Sequence, residues 1–194
     1  MTIAIDAAEA ARPWIERAQP THPSLIDGAH LFVDRYAIVN VPTVIWIDEG
    51  GRIVRPNDVA FTTERGGEYA GVSTAAQMAG LRAWVRGAVP PPDPAALRAL
   101  QRLPSDADQQ ARAHFALGRW LFDQGRAQAS ARHFERGGEL APHDFVIRRG
   151  TMPLRGMDPF GEDFRAMAQA WRDAGHRYYE PLPVDDTGGG ADPG

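Results

Sequence analysis

The sequence predicts an α/β segment followed by a small all-α segment, and three observations carry that expectation. Strand-length apolar runs alternate with helix-period stretches through residues 1–88, helix-period stretches alone fill 95–175, and a proline-rich break at 89–94 separates the two. With 194 residues the chain has room for one generous domain or two small ones.

Residues 1–5 alternate apolar side chains in the manner of a short strand. Asp6 is placed to cap the helix that follows, whose inward residues would be Ala10, Trp14, Ile15 and Ala18. Pro13 is tolerable there only in the first turn, because its ring excludes a backbone hydrogen bond deeper in a helix. After the breaker at 19–23 comes Ser24-Leu25-Ile26-Asp27, with Asp27 placed to cap a second helix presenting Leu31, Phe32 and Tyr36. A β-α-(short)-α start results.

Val44 to Ile47 is an unbroken apolar run, the pattern of a strand covered on both faces. A turn over 48–51 leads into Arg52-Ile53-Val54-Arg55, which alternates polar and apolar residues, so the pair reads as a hairpin with a half-exposed end strand. Residues 56–72 have no clear period and several glycines, and read as a long loop. Ser73 would cap a helix with Met78, Leu81, Trp84 and Val85 on one side.

Beyond the stiff 89–94 linker, Asp93-Pro94 starts a helix reaching about Leu103. Ser105 or Asp106 starts a longer one that ends at Gly125, and a third over 127–140 stops before Pro142. A last helix over 158–174 would carry Phe160, Phe164, Met167, Ala168 and Trp171 as its apolar stripe. Residues 176–194 form a tail whose polar, Gly-rich end is expected to be disordered.

Composition narrows the chemistry. There is no cysteine, which removes disulfides, thiolate nucleophiles, cysteine zinc sites and thiol redox couples from this chain. The formal charge of -4 lacks the basic excess that drives binding to nucleic acid or anionic lipid. No run approaches the roughly 18–20 apolar residues of a membrane span, and no basic-then-apolar leader opens the chain, so as written it reads as cytoplasmic. The six histidines show no metal-ligand spacing, although His114 and His133 lie on neighbouring helices and could meet as a packed or surface pair. Asp48 and Glu49 read as a solvated turn rather than an acid/base pair. Nucleophile-elbow, P-loop and dinucleotide glycine motifs are all missing, and no cofactor is expected. Trp14, Trp46, Trp84, Trp120 and Trp171 read as core.

Two stretches resemble known families. Pro23 to Asp27, then Tyr36-Ala37-Ile38-Val39-Asn40-Val41-Pro42-Thr43, then Ile47-Asp48-Glu49-Gly50-Gly51-Arg52-Ile53-Val54 resembles the later half of thioredoxin-like proteins, especially bacterial thiol-disulfide oxidoreductases related to peroxiredoxins. The match covers about residues 1–88. The resemblance implies that Pro42 is a cis proline and that Val41 offers backbone groups to an extended peptide, with Thr43 completing the site. Read without the family, Pro42 equally suits the start of an end strand. The family's preceding strand and Cys-x-x-Cys helix have no counterpart here. That strand is central, lying between the equivalents of 1–5 and 43–47, so its loss would leave two rows of unpaired backbone groups. An upstream start, a strand donated by another chain in a homodimer, or closure of the remaining strands would each answer the defect, and the first is favoured.

The second resemblance is to one tetratricopeptide repeat. His114, Leu117, Gly118 and Leu121, then Gly125, Ser130, Phe134, Gly137 and Pro142 fall at its spacing, with the usual Trp, Tyr and two Ala replaced by His114, Leu121, Ser130 and Gly137. Gly118, Ser130 and Gly137 would let two helices approach while Leu117, Leu121 and Phe134 fill between them. A generic helical hairpin fits the same residues. Together these expectations describe a cysteine-free, redox-inactive module that binds a peptide or protein partner at Val41, Pro42 and Thr43. The alternative is a truncated reading of a thiol-disulfide oxidoreductase or peroxiredoxin-like protein whose cysteines lie upstream of Met1.

Overall fold

A computed structural model of the chain describes residues 1–59, 73–91 and 93–179; most of the expected 56–72 loop and the end of the tail lie outside the described residues. Among them are eight α-helices and two separate two-stranded sheets, a mixed α/β architecture. The order is β1 (Thr2–Ala4), α1 (Ala8–Ala18), β2 (Ser24–Ile26), α2 (Leu31–Arg35), β3 (Thr43–Ile47), β4 (Ile53–Val59), α3 (Thr74–Val85), α4 (Pro94–Leu100), α5 (Asp106–Asp123), α6 (Ala127–Leu140), α7 (Phe145–Arg148), a 3-10 turn (Pro153–Arg155) and α8 (Glu162–Asp173). No helix among them is long and apolar enough to cross a membrane.

The first sheet pairs β1 with β2 in parallel, Ile3 opposite Leu25, across the α1 crossover. Three residues were too few to reveal β2 by alternation alone. Asp6 does not cap α1; the position before the helix is Ala7, with no side-chain bond, and Pro13 sits inside the helix rather than in its first turn. The inward face shifts accordingly: Ala11 is buried, Ile15 half-buried, and Ala10 and Ala18 are exposed. Trp14 is 68% exposed, with the Arg17 guanidinium lying 5.0 Å over its ring, so it is not core. Asp27 does cap α2, its carboxylate accepting from the N–H groups of Leu31, Phe32 and Val33 at 2.8, 2.8 and 3.2 Å. Leu31 nevertheless points to solvent, and Val33 takes the inward position.

The second sheet is the antiparallel β3–β4 hairpin, closed by Asp48, whose carboxylate accepts from the Arg52 N–H at 2.8 Å. β3 is incompletely covered among the described residues: Trp84 of α3 stacks on Trp46 at 5.2 Å, while Val44 and Ile47 stay exposed. β4 runs four residues past Arg55 and buries two charges in doing so. The Arg55 guanidinium lies 5.0 Å over the Trp46 ring, and its Nε donates to Asp58 at 3.0 Å. Gln77 of α3 accepts from the same guanidinium at 3.3 Å. Ser73 caps α3 through the Ala76 N–H, but Met78 and Val85 of its expected apolar side are exposed.

α5 and α6 form the tightest helix pair. Ser105 and Asp108 make a reciprocal capping box at the start of α5. Gly118 faces the Phe134 ring so closely that a Cβ there would lie 2.6 Å from it, and Gly137 packs against the Ala111 carbonyl. Ser130 donates to the Gly118 carbonyl at 2.8 Å. Ala111, Phe115, Phe134, Ala141 and Ile147 fill the space between, with Leu121 also buried. Leu117 was expected in this core and is 43% exposed, and Trp120 is 55% exposed; both lie on the outer side of α5. α8 begins at Glu162, four residues later than expected, because Asp158 accepts from the Phe160 N–H in a turn. That leaves Phe160 outside the helical stripe, where Arg149 is clasped between Phe160 and Phe164 at 4.4 and 4.5 Å.

α7, which was not among the helices expected from the sequence, joins the two parts. Ile147 enters the α5–α6 core, while Val146 packs with Val33 and Ile38 among Ile5, Phe32 and Tyr36.

Candidate functional site

The segment from Ile38 to Thr43 links α2 to β3, and its shape follows from local turns. Ala37 adopts a left-handed φ of 48°, and the Ile38 N–H returns to the Val33 carbonyl at 3.0 Å. Asn57 of β4 donates to the carbonyls of Tyr36 and Ala37 at 2.7 and 3.0 Å, fixing the chain reversal from the other side.

The next five backbone groups are held by residues far along the chain. Arg112 of α5 donates to the Ile38 carbonyl at 2.6 Å. The Val39 carbonyl accepts from the N–H groups of Phe145 and Val146 at 2.7 and 3.3 Å, at the start of α7 where helix donors lack internal partners. The Tyr179 hydroxyl accepts from the Val39 and Asn40 N–H groups at 3.1 and 3.2 Å and donates to the Asn40 carbonyl at 3.4 Å. Burial pushes that phenol above its ordinary range.

Val41 then emerges, 42% exposed, joined to an exposed Pro42 by a cis peptide bond. Among the described residues, neither the N–H nor the C=O of Val41 makes a backbone hydrogen bond. The Thr43 hydroxyl donates to the Asp58 carbonyl at 2.8 Å, which ties it to β4, and it also interacts with the Tyr179 hydroxyl. The three residues singled out in the sequence therefore form one short corner, exposed at Val41 and Pro42 and half-buried at Thr43, with the Val41 backbone unbonded among the described residues.

Arg112 is itself anchored. It meets Asp144 at 2.6 Å and Asp34 at 3.3 Å. Asp144 also accepts from the Ile147 N–H at 3.0 Å, and its carboxyl is pushed up to about 6, chiefly by burial, with Arg112 and the α7 N–H groups pulling the other way. His143 beside it lies 3.1 Å from Asp108; burial and Arg102 lower its basicity more than Asp108 raises it. Sequence reasoning missed Arg112, Asp144 and Tyr179. Only Asp144 carried a local signal, standing just before the apolar Phe145, Val146 and Ile147.

No protein-family model, curated protein or solved structure matches this chain. Chemistry elsewhere on the molecule is sparse. His114 and His133 do meet, Nδ1 to Nδ1 at 2.8 Å, as a packed pair. Among the described residues no cluster of three or more His, Asp and Glu is arranged to hold a metal. An open depression of about 350 Å³ is lined by Arg148, Met167, Ala170, Trp171, Ala174 and His176, none of them in the Val41 corner.

Proposed function

We propose that this chain is a redox-inactive, thioredoxin-like interaction module that binds an extended peptide or partner protein by strand addition at Val41, Pro42 and Thr43. The observation that carries this reading is the Val41 backbone, free of hydrogen bonds among the described residues, at an exposed corner whose preceding backbone groups from the Ile38 carbonyl to the Asn40 carbonyl are all bonded. The element order supports it as well: a parallel β1–β2 pair, then an antiparallel β3–β4 hairpin followed by α3, fits the later half of the thioredoxin-like fold. The close α5–α6 pair through Gly118, Ser130 and Gly137 fits a tetratricopeptide-like unit.

The test uses the whole chain labelled with nitrogen-15 and titrated with reduced, carboxymethylated lactalbumin as a permanently extended polypeptide. Amide resonances of Val41 and Thr43 are expected to shift most. Shifts centred elsewhere, or none, would overturn the reading. With no cysteine the purified chain is expected to give no turnover in an insulin-reduction assay.

A second reading draws on the separation of the two sheets, in which β1 and β3 each have a strand partner on one side only among the described residues. In it, a strand and a Cys-x-x-Cys helix encoded upstream of Met1 fill that place in a thiol-disulfide oxidoreductase. In-frame codons for such a segment would favour it over the binding-only view, and an upstream stop codon would end it. Mass measurement in solution tests the related idea of a homodimer in which each copy donates a strand.

A further inference from the structure

We infer that Tyr179 and Arg112 are positioning residues for the Val41 corner, so that the helical part of the chain acts as the brace of the peptide site. This deepens the reading of Val41, Pro42 and Thr43 as a peptide-accepting corner and rests on it.

The inference follows from where the hydrogen bonds of the approach segment go. Five consecutive backbone groups precede Val41: the Ile38 carbonyl and the N–H and C=O groups of Val39 and Asn40. Their partners are Arg112 of α5, Phe145 and Val146 of α7, and Tyr179 after α8. An extended ligand that pairs with Val41 needs a stationary strand edge, because each backbone bond it forms is weak and is lost if the edge moves. The corner's own neighbours supply little such fixing: Thr43 is tied to β4 on one side, and Asn57 holds only Tyr36 and Ala37 on the other.

Arg112 suits this role because its Nη2 reaches both the Ile38 carbonyl and the Asp144 carboxylate at 2.6 Å, while its Nη1 lies 3.3 Å from Asp34 of α2, which holds the rigid guanidinium plane between the two helices. Tyr179 suits it because one hydroxyl oxygen can accept two successive N–H groups.

The experiment compares amide hydrogen exchange in the intact chain with its Tyr179→Phe and Arg112→Lys variants, alongside their affinity for reduced, carboxymethylated lactalbumin. Tyr179→Phe should speed exchange of the Val39 and Asn40 amides by about tenfold while α5 amides keep their wild-type rates. Affinity should weaken by a similar factor. Arg112→Lys, which keeps the charge but not the rigid plane that sets one nitrogen between Ile38 and Asp144, should weaken affinity in the same direction with α5 still protected.

Unchanged Val39 and Asn40 exchange would overturn the brace, as would an acceleration spread evenly over the chain. Faster exchange with undiminished affinity would overturn the positioning role. Failure of the wild-type chain to bind lactalbumin at all would sink the peptide reading and the positioning role with it, whereas the brace is judged by exchange alone.

Discussion

At Asp144 two demands fall on one carboxylate. Burial disfavours its charge, whereas Arg112 at 2.6 Å and the α7 N–H groups favour it, and burial prevails by raising the group to about 6. The folded chain thus holds a proton that the unfolded chain, with an ordinary Asp, has released between about pH 4 and 6. From this group alone, stability falls as pH rises through that window. His30 and His143 act in the opposite sense. Burial lowers both, reinforced at His30 by Arg119 and at His143 by Arg102, so the unfolded chain takes up their protons first. Their contribution is present above pH 6.5 and is lost as pH falls. Asp144→Asn removes the acid-side compensation. Denaturant titrations at pH 4, 5 and 6 should show the variant losing more stability toward pH 4 than wild type, by up to about 1.4 kcal/mol per pH unit for one proton. Parallel profiles would show that Asp144 titrates normally in the folded chain.

At the scale of elements, the α5–α6 pair was legible because small residues at helical spacing have one physical use, close approach of two backbones. Gly118 meets that use most tightly, so Gly118→Ala should cost about 1–3 kcal/mol through overpacking against Phe134. Phe134→Ala should cost about 3–5 kcal/mol by leaving a cavity in the same place. Urea midpoints check both, and a Gly118→Ala value near zero would mean that the Phe134 ring swings aside. The hairpin was legible for a similar reason, since Asp48 to Gly51 is turn chemistry between two apolar runs. Trp14, Leu117 and Trp120 misled because large apolar side chains default to the interior. Nothing local revealed that α1 and the outer side of α5 have no neighbour there among the described residues. β2 and α7, at three and four residues, are too short to display a period at all.

For the whole molecule, the proline-rich stretch suggested two halves, yet α7 places adjacent residues into both apolar clusters. Val146 lies with Val33 and Ile38, and Ile147 lies with Phe115 and Phe134. Such sharing should make unfolding cooperative across the described residues. Far-ultraviolet circular dichroism, dominated by the helices, and near-ultraviolet signal from the stacked Trp46 and Trp84 are expected to change at one temperature. Two separated transitions would show that the junction is energetically weak. This junction was invisible in the sequence because Arg112 and Ile38 meet across 74 positions, and Tyr179 and Val39 across 140. No periodicity or capping rule reports a bond of that span. The Val41 corner itself was legible only through a family resemblance, and its supports were not.

The Arg55–Asp58 pair under Trp46 constrains more than the native hairpin. Sliding β4 by one position against β3 would reverse every side chain on it, withdrawing the guanidinium from its aromatic seat and parting it from α3. A charge stranded in that way disfavours misaligned ladders, including ladders with a neighbouring molecule, where stacking of like strands begins fibril growth. A short, incompletely covered strand pair thereby carries its own safeguard against self-templating.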